Sequence, residues 1–362
     1  MNSHILVTGG AGYIGSHTCK VLAEAGYVPI AYDNLSTGNR WSVKWGPLVE
    51  GDLCDSALLR EVIRKYSVFA VIHFAANAYV GESVVNPRKY FENNASNTLN
   101  LLGAMLDTGV HHIVFSSTCA TYGIPKKIPI SENEIQQPIS PYGESKLFIE
   151  RVLQCYGNAY GLNWTALRYF NAAGADLEGK IGEHHDPETH LIPLIIQSAM
   201  GCRPELEIYG MNYPTHDGTP IRDYIHVMDL AEAHVLALEY LIKGGKSGAF
   251  NLGTGNGHSV MEVISAVKQI SGLHTPIRTV QNRPGDAPVL VADASKAHQT
   301  IGWTPRFKDI HEIVESAWKW HKEKEILTYR NLNWAGINTV IKHTHKNYCG
   351  NKRIELSRNA SN

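Results

Sequence analysis

The chain has 362 residues, with 33 lysines and arginines against 34 aspartates and glutamates, and a formal net charge of −1. This balance gives no bulk attraction to nucleic acid or to anionic membranes, and no apolar run approaches the length that spans a bilayer. Six cysteines occur without a C-x-x-C pair, which favours neither a zinc knuckle nor a disulfide framework. With no signal-peptide pattern at the start, these features predict a soluble cytoplasmic protein of two domains.

The first elements predict a dinucleotide-binding unit. An apolar strand, Ile5–Val7, is followed by the glycine-rich segment 8–15 and then by a helical apolar pattern. Gly9 permits a tight turn, Gly12 lets the backbone approach a pyrophosphate, and Gly15 allows the helix to pack closely on the strand. The pyrophosphate would then lie at the helix N-terminus, where free amides and the helix dipole favour an anion.

The second predicted strand, Val28–Tyr32, ends at Asp33. A carboxylate at this distance can accept hydrogen bonds from the adenosine ribose hydroxyls. The same carboxylate repels a 2′-phosphate and therefore favours NAD over NADP. Arg40 lies a few residues on and leaves NADP open as the alternative.

Strands and helical patterns alternate through the first half, which predicts an α/β fold with a doubly wound parallel sheet of the Rossmann type. The further predicted strands are Pro47–Glu50, Phe69–Phe74, His112–Ser116 and Trp164–Arg168. Ligands of such sheets bind beyond the carboxyl ends of the strands. The small or polar residues that follow these strands are Asp52 with Leu53, Ala75 with Ala76, Ser116 to Thr118, and Asn171.

Tyr142 and Lys146 stand four residues apart in a helical pattern, so both side chains can share one helix face. A tyrosine with a pKa near ~10 is a poor base at neutral pH unless a nearby cation stabilises the phenolate. Lys146 supplies that cation. Thr118 offers a hydroxyl that can bond a substrate oxygen and relay its proton to Tyr142. The three residues together predict hydride chemistry on an alcohol.

After Ala173 the pattern changes, because residues 174–189 are rich in glycine, charged residues and histidine. Their apolar residues follow neither the helical nor the strand spacing. We predict a nucleotide-binding domain at 1–173, a smaller C-terminal α/β substrate domain at 174–327, some segments of which pack back on the first, and a tail at 328–362. Within the second domain we expect a polar loop at Tyr213–Arg222, a helix at Val227–Leu241, a strand at Phe250–Leu252 and a helix at Ser259–Ser271 that opens with a Ser259/Glu262 capping box.

Five segments together resemble the extended short-chain dehydrogenase/reductase family, and within it the UDP-glucose 4-epimerases. They are Thr8–His17, Val80–Ser83, Ser140–Lys146, Leu167–Asn171 and Arg222–Val227, and the resemblance runs from Ile5 to about Trp320. It implies NAD-dependent 4-epimerisation of a UDP-sugar, with UDP-glucose and UDP-galactose as the expected pair. Hydride would leave C4, the 4-keto intermediate would rotate, and the hydride would return to the opposite face. A homodimer through helices near Phe91–Met105 and Lys146–Tyr156 is also implied.

The resemblance extends to individual site residues. Those expected to contact NAD are Gly9, Gly12, Tyr13, Ile14, Gly15, Asp33, Asn34, Asp52, Leu53, Phe74, Ala75, Ala76, Asn93, Ser116, Tyr142, Lys146 and Tyr169. Those expected to contact the UDP-sugar are Thr118, Tyr142, Asn171, His190, Leu191, Tyr209, Arg222, Arg283, Asp286 and Leu290. No metal is expected, because the histidines of Glu183–Asp186 and His190 lie on an irregular stretch without the i, i+4 spacing of a helical metal site.

Two departures from the family pattern leave alternatives open. Ala78 stands where many members have a lysine that meets the cofactor phosphates, and Leu290 stands where relatives carry a bulky tyrosine or a smaller residue. UDP-xylose/UDP-arabinose and UDP-N-acetylhexosamines are therefore alternative substrates. A nucleotide-sugar dehydrogenase or dehydratase of the same fold is a second alternative, although Cys119 and Ala120 replace the acid pair that dehydration needs after Thr118. A non-catalytic NAD-binding regulator would have no use for the Thr118, Tyr142 and Lys146 set.

Overall fold

The computed structural model describes residues 4–283 and 286–334. The strands in these ranges are β1 His4–Thr8, β2 Val28–Asp33, β3 Leu48–Glu50, β4 Ala70–His73, β5 His112–Thr118, β6 Asn163–Tyr169, β7 Asn171–Ala173, β8 Leu206–Tyr209, β9 Ile221–His226, β10 Gly248–Leu252, β11 Gly257–Ser259, β12 Ile277–Val280 and β13 Val289–Leu290. The helices are α1 Tyr13–Glu24, α2 Ser56–Lys65, α3 Val80–Val85, α4 Pro87–Tyr90, α5 Asn97–Thr108, α6 Pro141–Tyr160, α7 Leu191–Ala199, α8 Val227–Ile242, α9 Val260–Ser271, α10 Ser295–Ile301 and α11 Ile310–Trp334. None of these helices is long and apolar enough to cross a membrane.

A seven-stranded sheet with the order β10-β6-β5-β4-β1-β2-β3 forms the centre of the fold, and each neighbouring pair in it is parallel. The chain builds outward from β1 to β3 on one side and from β4 to β10 on the other, so the strand order reverses between β1 and β4. Ligands of open α/β sheets bind at this switch point, beyond the carboxyl ends of the strands. The predicted α/β Rossmann-type fold and its six parallel strands are confirmed.

Helices cover both faces of the sheet, which explains why its strands are continuous apolar runs rather than alternating ones. On one face α2, α5 and α6 pack Leu59, Leu101 and Ile149 against the sheet, and all three side chains are fully buried. On the other face α1 and α8 contribute Leu22 and Leu238 to a second buried cluster. The sheet is therefore packed on both faces, and the loops that carry the site leave from its carboxyl edge.

The later part of the chain returns to complete this sheet. β10 pairs in parallel with β6, from Gly248 opposite Thr165 to Leu252 opposite Tyr169, and α8 packs against α1. The predicted helix at 227–241 and strand at 250–252 are confirmed. Residues 227–252 thus belong structurally to the first sheet, although they come after residue 173. The domain boundary at residue 173 stays a prediction.

The smaller part of the structure is built around β9, which pairs with β7, β11 and β13, while β8 pairs with β12. The prediction of a polar loop at 213–222 was wrong at its end, because Ile221 and Arg222 lie in β9. Their strand partners come from segments far away in the chain, which no local pattern reveals. The α9 capping box is confirmed, since the Glu262 amide donates to the Ser259 hydroxyl at 3.1 Å and the Ser259 amide donates to the Glu262 carboxylate at 2.8 Å.

The C-terminal tail predicted at 328–362 begins inside α11, which continues to Trp334. Residues 335–362 lie outside the described ranges.

Candidate functional site

The glycine segment after β1 forms a turn that only glycine allows. Gly9 has φ +73°, and its amide donates to the Tyr32 carbonyl at 2.8 Å. A Cβ at Gly15 would lie 2.1 Å from the Gly9 carbonyl oxygen, so α1 rests directly on the turn. Gly12 precedes the first residue of α1 with no side-chain cap, which leaves the amides of the first turn available to an anion.

Asp33 organises the opposite wall of this cradle. Its Oδ2 accepts from the Ala11 amide at 2.9 Å and its Oδ1 accepts from the Leu35 amide at 2.8 Å. Burial raises the pKa of the carboxyl, and the two amide hydrogen bonds oppose that shift. Each oxygen retains acceptor capacity for a ribose hydroxyl. Arg40 is paired with Glu50 on the exposed surface, so a 2′-phosphate would have to compete for it.

The structure therefore fits a dinucleotide, because a side chain at Gly9 or Gly15 would fill the turn and the buried Asp33 carboxylate lies where the ribose is expected.

We expect Gly15→Ala to lose bound NAD, since its methyl group would overlap the Gly9 carbonyl. Nucleotide released on denaturation of the purified protein measures this directly. Gly103→Ala in α5 is the matched control, because nothing lies within 4 Å of its Cβ position. Equal NAD content in the two variants would contradict the assignment.

Tyr142 and Thr118 meet where β5 ends and α6 begins. Tyr142 lies in the first turn of α6, which Ser140 caps by accepting from the Gly143 amide at 3.2 Å. Burial raises the pKa of the Tyr142 phenol well above its usual 10, Tyr169 adds to this, and a hydrogen bond with Thr118 opposes it. The Thr118 hydroxyl also accepts from the Ala120 amide at 3.1 Å. The buried phenol therefore keeps its proton in the nucleotide-free protein, and a nearby cation is needed to favour the phenolate.

Lys146 lies one turn along α6 and is also buried, with 3% of its surface exposed. Its Nζ donates to the Ser116 carbonyl at 2.8 Å and lies 4.9 Å from the centre of the Phe115 ring. Burial lowers its pKa to about 7, and Glu150 opposes this shift. The amine therefore titrates in the physiological range and is anchored to the end of β5.

This lysine predicts a specific pH dependence of stability. An unfolded lysine keeps its proton up to about pH 10.5, whereas folded Lys146 releases it near pH 7. The cost of burying the charge is therefore present in full below pH 7 and disappears as the pH rises towards 10.5. Lys146→Met removes that cost. We expect the Tm of Lys146→Met relative to the wild type to be highest below pH 7 and to fall between pH 7 and 10.

The measurement is thermal unfolding of nucleotide-free protein at a series of pH values. Lys146→Met also loses the hydrogen bond to the Ser116 carbonyl. This loss changes the Tm by the same amount at every pH, so it does not alter how the Tm difference varies with pH. Lys319→Met in α11 is the control, since 67% of its side chain is exposed, and its difference from the wild type should stay flat. A Tm difference that grows with pH would show that the folded state favours the Lys146 ammonium.

A buried network that sequence reasoning missed lies directly beneath these residues. The Glu150 carboxylate accepts three hydrogen bonds from the Arg168 guanidinium, at 2.6, 3.0 and 3.2 Å. Ser117 donates to the same carboxylate, and Arg168 also donates to the Tyr122 hydroxyl at 2.8 Å. Both charged side chains are under 10% exposed. The network ties α6 to β5 and β6 and so fixes Thr118 relative to Tyr142.

The other residues expected at NAD are distributed along the carboxyl edge of the sheet. Asn34 donates to Asp52 at 2.7 Å, Asn93 donates to Asn94 at 3.0 Å, and the Ser116 hydroxyl contacts the Tyr169 hydroxyl. Tyr13 donates to the Gly174 carbonyl at 2.7 Å, and the Ala75 amide donates to the Thr8 carbonyl at 3.1 Å. Ile14 and Phe74 pack against one buried cluster, Leu53 is buried in the other, and Ala76 follows Ala75 beyond β4.

The residues expected at the UDP-sugar come from several elements of the smaller part. Arg222 donates to Asp286 at 2.5 Å and pairs across strands with Leu290. Leu290 packs on the cluster that contains Cys119, next to Thr118. The Arg283 guanidinium lies 3.9 Å from the centre of the Tyr209 ring. The structure thus brings Arg222, Asp286 and Leu290 towards the end of β5 and places Arg283 on Tyr209.

Three further predicted contacts lie at the start of elements. Asn171 begins β7 opposite Tyr224, and Leu191 begins α7. His190 precedes α7, and its Nδ1 lies 2.6 Å from the Glu183 carboxylate. Burial alone would lower the pKa of His190, but Glu183 and Glu188 raise it to about 10. The imidazole is thus directed towards these glutamates.

Asp223, beside Arg222, is a positioning residue that the sequence did not single out. Its fully buried carboxylate accepts from the amides of Thr254, Gly255 and Ala292 at 2.8 to 3.1 Å. It therefore joins β9 to the end of β10 and to the segment after β13. Its only sequence signal is its position within the segment Arg222–Val227.

Comparison with known proteins gives a direct result. Residues 5–253 match the model of the NAD dependent epimerase/dehydratase family. This chain belongs to that family. Among its relatives, the UDP-glucose 4-epimerase of Rhizobium leguminosarum bv. trifolii is 52% identical over 317 residues, which is 88% of this chain and 97% of the relative.

Solved structures of epimerases in this family are equally similar. The UDP-glucose 4-epimerase from Brucella ovis, in complex with NAD, is 51% identical with a TM-score of 0.86, covering 88% of this chain and 98% of that one. The enzyme from Stenotrophomonas maltophila, with bound NAD and formylated UDP-arabinopyranose, is 40% identical with a TM-score of 0.86, covering 90% and 99%. The fold and the family resemblance predicted from the sequence are both confirmed.

Proposed function

We propose that this family member is an NAD-dependent UDP-sugar 4-epimerase, with UDP-glucose and UDP-galactose as its principal substrates. The observation that carries the proposal is the convergence of Thr118, Tyr142 and Lys146 beside the cradle formed by the glycine turn and Asp33. These five features come from four separate segments of the chain and meet at the carboxyl edge of one sheet. The high identity to UDP-glucose 4-epimerases over almost their full length supports the choice of substrate.

The seven-stranded sheet carries the residues for NAD and for the proton transfer, and the smaller part of the structure carries those for the nucleotide of the substrate. The glycine turn holds the pyrophosphate, and Asp33 accepts from the adenosine ribose. Bound NAD would supply the hydride acceptor, and then the hydride donor, for C4 of the sugar. Tyr142 accepts the proton of the 4-hydroxyl, with Thr118 hydrogen-bonded to both the phenol and the sugar oxygen. Lys146 provides the positive charge that favours the phenolate.

Epimerisation also requires that the nucleotide stay fixed while the sugar turns. Arg222 and Arg283 carry guanidinium groups that match a diphosphate or ribose edge with paired donors. Asp286 holds Arg222 in place, and Tyr209 supports Arg283 from one face. Leu290 lies beside the reaction centre and sets the width available to the sugar. Because leucine is of intermediate size, a pentose is the second candidate substrate, favoured by the UDP-arabinopyranose derivative held by the Stenotrophomonas relative.

The deciding experiment incubates purified protein with UDP-galactose and no added NAD, followed by separation of the nucleotide sugars. We expect UDP-glucose to form while absorbance at the NADH wavelength stays constant, because the hydride returns to the sugar. UDP-xylose and UDP-N-acetylglucosamine are tested in parallel. Accumulating NADH would indicate a dehydrogenase, and a 4-keto-6-deoxy product would indicate a dehydratase. Absence of C4 inversion with all of these substrates would overturn the proposal.

The assembly proposed for this enzyme is a homodimer in the cytoplasm. Large apolar side chains are exposed on or beside the helices expected at the two-fold interface: Val84 61%, Val85 81%, Phe91 43% and Phe148 44%. Such a surface favours burial against a second copy. Sedimentation should give twice the mass of the chain, and Phe148→Glu should shift it towards the monomer. The cytoplasmic location stays a prediction from the sequence.

A further inference from the structure

Four side chains of metal-ligand type converge in the segment between β7 and α7. Glu183, His185, Glu188 and His190 place their ligand atoms within 4.8 Å of one another. The His185 Nδ1 lies 3.4 Å from Glu183 Oε1 and 3.6 Å from Glu188 Oε1, and the His190 Nδ1 lies 3.5 Å from Glu188 Oε1. The sequence argument against a metal rested on the missing i, i+4 spacing and on the lack of a pattern of outer hydrogen-bond partners, whereas here an irregular segment folds back on itself and brings the four side chains together.

These atoms are close together without satisfying one another. Glu183 Oε1, His185 Nδ1 and His190 Nδ1 are buried without a well-directed hydrogen bond and are held as ion pairs, the shortest of which joins His190 Nδ1 to Glu183 Oε1 at 2.6 Å. Glu183 is 3% exposed. Buried polar atoms normally have hydrogen-bond partners, so three unsatisfied atoms in one cluster require an explanation. A shared cation at the centre of the cluster would give each of these atoms a partner.

We propose that Glu183, His185, Glu188 and His190 bind one divalent first-row transition ion, best matched by Zn²⁺. Tetrahedral zinc with bonds of about 2.0–2.1 Å separates its ligand atoms by about 3.4 Å. Three of the four N···O separations fall at 3.4 to 3.6 Å, and the fourth, between His190 Nδ1 and Glu183 Oε1, would have to open from 2.6 Å when an ion binds. Two imidazoles disfavour Mg²⁺ and Ca²⁺, which prefer oxygen ligands. Four protein ligands leave no open position, so the ion is structural rather than catalytic.

The surroundings of the cluster support such a role. Glu188 Oε1 accepts from the amides of Thr189 and His190 at 2.8 and 2.9 Å, which orients the carboxylate as outer hydrogen bonds do around metal ligands. The Tyr79 ring lies 6.4 Å from both histidine rings, and the Tyr13 ring lies 6.3 Å from that of His185. Because all four ligands lie within residues 183–190, an ion would hold this segment in one conformation at the start of α7, beside Tyr13 and Tyr79.

The test uses untagged, full-length, purified protein. Metal content is measured by mass spectrometry before and after titration with Zn²⁺, and Co²⁺ serves as a spectroscopic probe of the site. We expect about one equivalent of bound ion and the visible absorption of tetrahedral Co²⁺ with nitrogen and oxygen ligands. Glu183→Gln and His185→Asn should each lose the ion. His216→Asn is the matched control, since His216 lies 3.2 Å from Glu262 in a separate part of the fold and should leave binding unchanged.

A folded wild type that binds neither Zn²⁺ nor Co²⁺ would overturn the proposal and leave an ion-pair cluster of glutamates and histidinium groups. Thiolate-to-cobalt charge transfer would also overturn it, because it would place the ion on cysteine. If the variants do not fold, the wild type alone decides. Chelation should then lower its Tm and Zn²⁺, but not Mg²⁺, should restore it. Metal content is independent of turnover, so this proposal and the proposed epimerase function fail separately.

Discussion

Tyr142→Phe should lower turnover by about two to four orders of magnitude while leaving NAD bound. The phenol is the only group we assign to take the 4-hydroxyl proton, and general-base catalysis contributes about 10²–10⁴-fold in typical enzymes. Phenylalanine keeps the ring contacts, including the edge contact with Tyr90 at 6.4 Å. The fold and the dinucleotide cradle are therefore unchanged. The measurement is the steady-state rate of UDP-galactose conversion together with the NAD content of each preparation.

Tyr160→Phe provides the control in the same helix. Tyr160 is the last residue of α6 and 55% exposed, so losing its hydroxyl should leave the rate unchanged. Thr118→Val should reduce the rate less than Tyr142→Phe, because it removes a relay and not the base itself. A Tyr142→Phe enzyme with more than a tenth of wild-type turnover would mean that another group takes the proton.

Glu150→Ala should destabilise the protein by about 3–5 kcal/mol, the usual cost of leaving one member of a buried ion pair without its partner. Arg168 cannot lose its proton, and its side chain is 8% exposed. Removing the carboxylate therefore leaves a buried guanidinium facing Ser117 and Tyr122 with only neutral partners. The expected result is a large fall in the urea midpoint and in the Tm.

Two variants separate charge from hydrogen bonding in this network. Glu150→Gln keeps an acceptor for Arg168 and should be less destabilised than Glu150→Ala. Glu315→Ala is the surface control, because Glu315 pairs with Lys319 where 52% and 67% of the side chains are exposed. Exposed pairs contribute about 0–1 kcal/mol. Similar losses in Glu150→Ala and Glu315→Ala would show that the buried pair is not a stabilising element of the site.

The predictions that succeeded rest on signals confined to a few consecutive residues. The glycine turn and the Ser259 cap each need only a short segment to specify their geometry, and both are present in the structure. Alternating strands and helices then determine a parallel sheet, since the connections between parallel strands must cross over it. The carboxyl-edge positions of Asp33 and Thr118 follow from that topology alone.

What the sequence did not reveal depends on partners far along the chain. β9 is a strand because β7, β11 and β13 flank it, and its own residues look like the end of a polar loop. The Glu183 cluster forms because an irregular segment folds back, which no periodicity describes. The burial of Glu150 could have been predicted from the sequence, since Tyr142, Lys146 and Glu150 repeat at intervals of four on α6. That spacing indicates one buried helix face, but only the structure shows Arg168 opposite it.

The return of β10 and α8 to the first sheet has a consequence for synthesis on the ribosome. Leu230 and Leu238 of α8 cover Val7, Ile72 and Val114 on one face of the central strands. A nascent chain that ends near residue 173 has made those strands and α1, but not α8, which covers the rest of this face. Apolar side chains on that face stay exposed to solvent until residue 252 has left the ribosome and β10 can pair with β6. During this interval the growing protein presents a natural binding surface for chaperones.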